Sequence, residues 1–281
     1  MDVSLRKQLE AMAIRARMLV IEGTYHAKSG HPGGSLSAAD TMTYLYFKEL
    51  NIDPKNPRWE NRDRFVLSKG HSAPALYAFL ALRGFIDEEE IRHLRHAGAM
   101  LQGHPCMTNT PGVDMSTGSL GQGISTAVGM ALGGKLDGKD YRVYTMLGDG
   151  EIQEGQVWEA AMFAAHKKLS NLCVIVDNNN LQIDGSIDEV NSPYPIPEKF
   201  AAFGFNVIVI DAHDFDQIEA AFAAARACTD KPTAIIQKSV KGKGVSFMEN
   251  QVSWHGSAPN AEQYEQAMSE LRAALATYEE G

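Results

Sequence analysis

The chain has 281 residues, 26 Lys and Arg against 35 Asp and Glu, and a formal net charge of −9, so one large α/β domain spanning residues 1–281 is expected. No Lys/Arg-rich block interrupts the acidic excess, which excludes nucleic acid or an anionic membrane surface as the main partner and leaves any anion to be bound by loops, histidines and metal. No basic start leads into an apolar stretch, and no run of about eighteen apolar residues occurs, so a soluble cytoplasmic protein is expected.

Val3 to Lys28 carries Leu5, Leu9, Met12, Ala13, Ala16, Leu19 and Val20 at three- and four-residue steps, an amphipathic helix that should stop at Ser29-Gly30. The glycine-rich loop Lys28 to Ser35 then presents His31 between Gly30 and Pro32; taken alone, this is a loop histidine. A helix should follow from Ser35 to Leu50, and Asn51 to Asn61, with Pro54 and Pro57, reads as a surface connection. Arg64 to Leu67 reads as a strand running into Ser68-Lys69-Gly70-His71 and a helix from Ser72 to Leu82. His71 could donate to a phosphate oxygen there or simply cap the helix. Asp87 to Glu90 should open a short helix by capping-box logic, leaving His93 and His96 on the surface. Gln102 to Gly123 is a long loop, and ordered loops of that length in compact domains are usually functional. The helix Ile124 to Leu136 is small on one face through Ala127, Ala131 and Gly133, a face suited to close packing, a partner included.

Tyr141 to Leu147 reads as a strand, Glu154 to Leu169 as a helix with Val157, Ala160, Ala161, Ala164 and Ala165 at helical spacing, and Leu172 to Val176 as the next strand. Parallel strands joined by a right-handed crossover end on the same edge of their sheet. That geometry sets Gly148-Asp149-Gly150 beside Asp177-Asn178-Asn179-Asn180-Leu181. Mg²⁺ wants an octahedron of oxygens, one or two of them protein carboxylates and the rest phosphate or water. Asp149, the Asn179 amide oxygen and a carbonyl near Leu181 form such a set, while Gly148 and Gly150 let the backbone approach a phosphate. The bland alternative is a solvated glycine turn beside an asparagine-rich loop.

Ser192 to Pro197 is a proline-rich connection too extended for helix. Phe205 to Ile210 and Thr233 to Gln237 read as strands around a helix from Asp214 to Cys228, continuing the sheet. Lys241-Gly242-Lys243-Gly244-Val245 reads as a mobile loop closed by Trp254-His255-Gly256, in which His255 alone is uninformative. A last amphipathic helix runs from Asn260 to Tyr278, and the tail Glu279-Glu280-Gly281 should fray. The three cysteines, Cys106, Cys173 and Cys228, show no metal-ligand spacing; Cys173 and Cys228 are expected in the core.

Gly-Asp-Gly, a helix, a strand and then Asn-Asn resembles the thiamine diphosphate motif. The fuller wording, Gly148 to Gly155 followed by Asn179-x-Leu181-x-Ile183-Asp184-Gly185, resembles the transketolase family. Ser29-Gly30-His31-Pro32-Gly33, Phe65-Val66-Leu67-Ser68-x-Gly70-His71, Gly103-His104-Pro105, Thr117-Gly118-x-Leu120-Gly121-Gln122-Gly123 and His255-Gly256 are similar to further stretches of that family. The resemblance implies an α/β thiamine diphosphate-binding fold, a parallel sheet with helices on both faces. Its implied cofactors are thiamine diphosphate and Mg²⁺, with Ca²⁺ or Mn²⁺ able to substitute. Asp149, Asn179 and the Leu181 carbonyl would hold the metal. Gly150 and His71 would meet the diphosphate, Gly118 and Leu120 the aminopyrimidine, with Glu151, Asn179 and His255 also at the cofactor. His31, His104 and His255 would manage protons on sugar oxygens, and at least three of the four loop histidines should meet. Glu154 and Glu159 match interfacial glutamates that link active sites, or are ordinary helix-surface charge. Cys106 and Ser119 depart from the acidic residue and the proline that the family commonly has there, which loosens the sugar assignment.

The resemblance covers essentially the whole chain but only the first third to half of long transketolases, which continue into a pyrimidine-binding domain. It therefore implies a diphosphate-binding subunit that transfers a two-carbon ketol unit between sugar phosphates with a separate C-terminal pyrimidine-binding subunit, as an α2β2 heterotetramer. Xylulose 5-phosphate, a sulfosugar and a branched sugar phosphate all remain open as substrates. Two other readings are carried: the α subunit of a 2-oxo acid or acetoin dehydrogenase, and a non-catalytic scaffolding homologue.

Overall fold

The computed structural model describes residues 1–279; of the tail expected to fray, residues 280 and 281 lie outside the described residues. Helix α1 (Val3–Ala27) starts at Asp2, whose carboxylate accepts the N–H groups of Ser4 and Leu5, and ends at Lys28 in a left-handed conformation. The helix expected over 35–50 begins earlier and is broken into α2 (Pro32–Ser37), α3 (Ala39–Tyr44) and a π-helical turn, Leu45–Glu49. Pro32 occupies the first turn, where its missing N–H costs nothing. Every residue of α2 and α3 is buried, so this segment shows no polar face from which to read helical period.

Five strands follow one another as a parallel sheet: β1 (Arg64–Leu67), β2 (Val143–Gly148), β3 (Leu172–Asn178), and, after the small hairpin β4 (Leu181–Gln182) and β5 (Gly185–Ser186), β6 (Asn206–Asp211) and β7 (Thr233–Lys238). Their order is β1-β2-β3-β7-β6, every pair parallel. Parallel sheets are covered on both faces, and alternation along the strands divides the core accordingly. Tyr144, Met146, Cys173, Ile175 and Ile235 join the cluster built on α1, α4 (Ala73–Leu82), α9 (Phe215–Ala227) and α10 (Ala261–Glu279). Val143, Leu147, Val174, Val176 and Ile236 face α5 (Gln122–Leu136), α6 (Gly155–His166) and α8 (Ile196–Ala202). The expected α/β class, a parallel sheet with helices on both faces, is the architecture found.

Several local expectations are corrected. Residues 88–93 form a 3₁₀ turn, and Asp87 makes no side-chain cap, so the charges there satisfy no capping box. Residues 196–202 do form a helix, because Pro197 falls in its first turn; a capping box does occur, unforeseen, where Ser186 and Glu189 start α7 (Ile187–Asn191). Cys228 is only half-buried, at the end of α9. Ala127 and Ala131 pack on the chain's own sheet, whereas a side chain at Gly133 would meet nothing. Among the described residues no helix is long and apolar enough to cross a membrane.

Helix α5 comes close to the end of β1 at Gly123, where a Cβ would stand 2.6 Å from both Cα and Oγ of Ser68; one at Gly129, on the same helix, would touch nothing. Gly123→Ala should therefore lower stability by about 1–3 kcal/mol, while Gly129→Ala should be neutral or stabilising by about 1 kcal/mol. Urea unfolding of the two variants checks this, and equal midpoints would refute the packing.

Candidate functional site

The C-terminal ends of β1, β2, β3 and β7 open on one edge of the sheet, where open α/β folds hold ligands. A cavity of about 350 Å³ lies there, walled by the α2 loop, the Gly118–Leu120 loop and the β4–β5 hairpin. A second hollow of about 390 Å³, between Arg58 and loop 107–114, contains none of the histidines or clustered oxygen donors.

At the end of β2 the buried Asp149 carboxylate accepts the N–H of Gly150 (2.8 Å), the amide of Asn178 (3.0 Å) and the N–H of Asn180 (2.5 Å). Burial, with the neighbouring Asp177 charge, nevertheless raises its pKa to about 6, because three donors do not replace lost hydration. Past β3, Asn179 gives its amide N–H to Asp177 (3.2 Å), which leaves Oδ1 as its acceptor end. The Leu181 carbonyl accepts from the Lys241 ammonium at 2.9 Å. Asp149, Asn179 and Leu181 thus come together at the cavity, as expected from the βαβ unit.

Two buried lysines were not anticipated as site residues. Lys69, 2% exposed, donates to the Gly34 carbonyl (2.7 Å) and to Asp177 (2.5 Å). Lys241, also 2% exposed, reaches both the Leu181 carbonyl and His255 Nδ1, each at 2.9 Å, and burial lowers its pKa to about 8. The loop read as mobile is in fact pinned: Gly242 donates to the Gly33 carbonyl (3.0 Å) and Asn250 to the Lys241 carbonyl (2.9 Å). The only sequence signal was a lysine between glycine-rich turns at a strand end, and lysine is ordinarily read as solvated.

His31, His71 and His255 meet, with ring centroids 5.2 Å (His31–His71), 5.6 Å (His31–His255) and 5.2 Å (His71–His255) apart. Burial, then the nearby cations, lowers His31 to about 4, His255 to about 3 and His71 well below its ordinary value. All three are neutral near pH 7, each with one ring nitrogen to donate and one to accept. His104 stands apart at the rim, its ring so close to Gly118 that a Cβ there would lie 2.8 Å from it. Arg95, also unforeseen, donates to Ser29 Oγ (2.8 Å) and the Gly103 carbonyl (3.2 Å), tying the His31 loop to the His104 loop.

Gly118, Leu120 and Gly150 line the cavity as expected. Glu151 also borders it, but its carboxylate is consumed internally by Ser68 Oγ (2.5 Å), Gly121 N–H (2.9 Å) and Gly148 N–H (3.0 Å). It straps three loops together, and burial pushes its pKa up. Glu154 and Glu159 are both exposed, Glu154 at the cavity rim.

Among the described residues no group of three or more His, Cys, Asp or Glu is placed to hold a metal ion by itself, and the oxygen set at the cavity offers Asp149 as its carboxylate. Such a set suits a hard cation only if an anionic ligand completes its shell. The residues fit a metal diphosphate better than a bare metal.

Residues 8–276 match the family model described as transketolase, thiamine diphosphate binding domain. The chain belongs to the transketolase family. It is 45% identical over 263 residues to the 6-deoxy-6-sulfo-D-fructose transketolase subunit of Clostridium sp. (strain MSTE9), covering 94% of this chain and 96% of that one. One of the apulose-4-phosphate transketolase subunits of Phocaeicola vulgatus is 42% identical to it, covering 94% and 93%. Transketolase of Campylobacter jejuni superposes with a TM-score of 0.90 at 32% identity, covering 99% of this chain but 46% of that one. The chain thus spans less than half of the Campylobacter transketolase. Neither the 2-oxo acid dehydrogenase reading nor the scaffolding reading is favoured by this family assignment.

Desolvation of His31 carries a sign. Unfolded, the ring takes a proton near 6.5; folded, near 4. The stability it contributes is therefore fully present above pH 6.5 and is lost as pH falls towards 4. Thermal unfolding of the ligand-free chain should weaken across that window, and less steeply in His31→Asn. An identical pH slope in the variant would show that His31 is not a desolvated base.

Proposed function

We propose that this chain, acting as one diphosphate-binding domain over residues 1–281, is the N-terminal half of a two-chain transketolase. It would move a two-carbon ketol unit from a ketose phosphate to an aldose phosphate, with a separate pyrimidine-binding subunit, as an α2β2 heterotetramer in the cytoplasm. The observation that carries this reading is three neutral histidines packed beside an oxygen donor set and a buried ammonium at one sheet edge. Thiamine diphosphate supplies, when bound, the carbon nucleophile that accepts and releases the ketol unit. The chain's own residues do the rest.

Asp149, the Asn179 amide oxygen and the Leu181 carbonyl hold Mg²⁺, or Ca²⁺ or Mn²⁺ in its place. Charge supports the metal. Lys69 is already paired with Asp177, which leaves Lys241 as the one cavity ammonium without a carboxylate partner among the described residues, too little charge for a diphosphate. Gly150 and His71 meet the diphosphate, with Lys241 added to the set. Gly118 and Leu120 receive the aminopyrimidine. Neutral His31, His104 and His255 donate to and accept from the sugar oxygens, each ring offering one donor and one acceptor nitrogen. Glu154 and Glu159, exposed at and beyond the rim, face the partner subunit. Leu120 and Ile183, 38% and 63% exposed at the cavity mouth, give that partner apolar surface to cover. Glu151 acts as a strap for the cavity loops instead of as a direct contact.

Two measurements test the reading. The purified chain should show no ketol transfer until mixed with a pyrimidine-binding subunit, assayed on a panel of pentose, sulfosugar and branched sugar phosphates; full activity from the chain alone would sink the two-chain proposal. Asp149→Ala should weaken Mg²⁺-dependent thiamine diphosphate binding to the assembled complex by roughly 100-fold or more, read by calorimetry. Unchanged affinity would remove Asp149 from the metal.

A further inference from the structure

A chain of buried polar contacts reaches the site from the opposite side of the sheet's edge. Arg17, on α1, grips Asp40, on α3, through both guanidinium nitrogens (3.0 and 2.6 Å). Asp40 Oδ2 lies 2.7 Å from Nδ1 of His213, just past the edge strand β6. The other ring nitrogen of His213, Nε2, accepts the backbone N–H of Val240 at 3.0 Å. A nitrogen that accepts an N–H carries no proton, so the ring's hydrogen must sit on Nδ1 and be donated to Asp40. Arg17 and Asp40 are 5% and 6% exposed, which makes the orientation of the imidazole costly to change.

Val240 immediately precedes Lys241, whose ammonium spans the Leu181 carbonyl and His255 Nδ1. Further along, the loop is tied backbone to backbone by Gly242 to Gly33 and Asn250 to Lys241, and by Ser246 to the Glu270 carboxylate. His213 is the side chain that takes up the Val240 N–H, and it does so from the turn after β6, a strand with no part in the cavity. The Arg17–Asp40 pair is neutral as a unit and the imidazole is uncharged, so the device places the loop by geometry and adds no net field.

We propose that His213, held by Asp40, is a positioning residue that fixes the Val240 N–H and thereby sets the Lys241 ammonium where it meets a diphosphate. The inference rests on the reading of the cavity as a diphosphate site. Outer partners that orient binding groups typically govern about 10–100-fold in affinity.

The test uses the full chain with inorganic diphosphate and Mg²⁺ as the probe. His213→Phe should weaken diphosphate binding about 10–100-fold and speed hydrogen exchange at the Val240 amide. His213→Gln, whose amide can accept from Val240 and donate to Asp40, should restore most of both. Normal affinity together with a protected Val240 amide in a folded His213→Phe would overturn the proposal. Should that variant not fold, ¹⁵N spectroscopy of the unaltered chain decides instead, since a hydrogen found on Nε2 of His213 is incompatible with the assignment. If the unaltered chain binds no diphosphate, the reading of the cavity fails, and Val240 exchange still reports whether His213 holds the loop.

Discussion

The buried carboxylate of Asp177 is the point on which the site depends. It stands near the end of β3 with no exposure and accepts from Lys69 (2.5 Å), Ser37 (2.6 Å), Gln237 (3.3 Å) and Asn179 (3.2 Å), and also from Ser239. These donors arrive from the ends of β1, α2, β7 and the loop after β3, so one anion gathers four separately folded segments. An isolated buried charge costs several kcal/mol. Here the lysine and the side-chain donors hold the carboxyl at about 2, well on the ionised side. Removing any single donor would weaken the bundle, but removing Asp177 would strand a buried ammonium and release the Asn179 amide from its orientation.

This arrangement explains why neighbouring carboxylates behave oppositely. Asp177 has a cation within hydrogen-bond reach and stays ionised; Asp149 has only neutral donors, and its pKa climbs to about 6. The asymmetry suits the proposed metal role of Asp149, since a carboxylate already satisfied by an ammonium would have little to gain from a divalent ion. The charge count points the same way. The Lys69–Asp177 pair cancels internally, Lys241 stands against Asp149, and an arriving diphosphate brings negative charge that the protein alone leaves uncompensated.

Much of this was legible in the residues, and the exceptions have common causes. The βαβ unit around Asp149 and Asn179 could be read because its strands are short apolar runs and its turns are marked by glycine and asparagine. The histidines could be read through the family resemblance of their loops, since His31 alone is a loop histidine and His255 alone is uninformative. Lys69 and Lys241 could not, because nothing in a sequence says that a lysine is buried; that follows from contacts with Gly34, Asp177, Leu181 and His255 that only the fold supplies. Helices α2 and α3 blurred together because burial on every side erased their period. Asp87 looked like a cap but formed none, whereas Pro197, taken as a helix breaker, sits in the first turn where proline is tolerated.

The three histidines give the site its remaining logic. A cluster of bases so close together would repel itself if protonated, and burial beside two ammonium groups ensures that it is not. Burial is the first cause of that neutrality, and the charges of Lys241 and, at His71 and His255, of Lys69 add to it. The cations serve two ends at once: they balance carboxylates at the floor of the cavity and help hold the imidazoles above it in the form able both to take and to give a proton. Glu151, the one other buried acid at this edge, is already committed to Ser68, Gly121 and Gly148 and has no oxygen to spare. A cofactor that needs an acid at its far end must find that acid beyond the exposed rim marked by Leu120, Glu154 and Ile183, in surface that a second chain would provide.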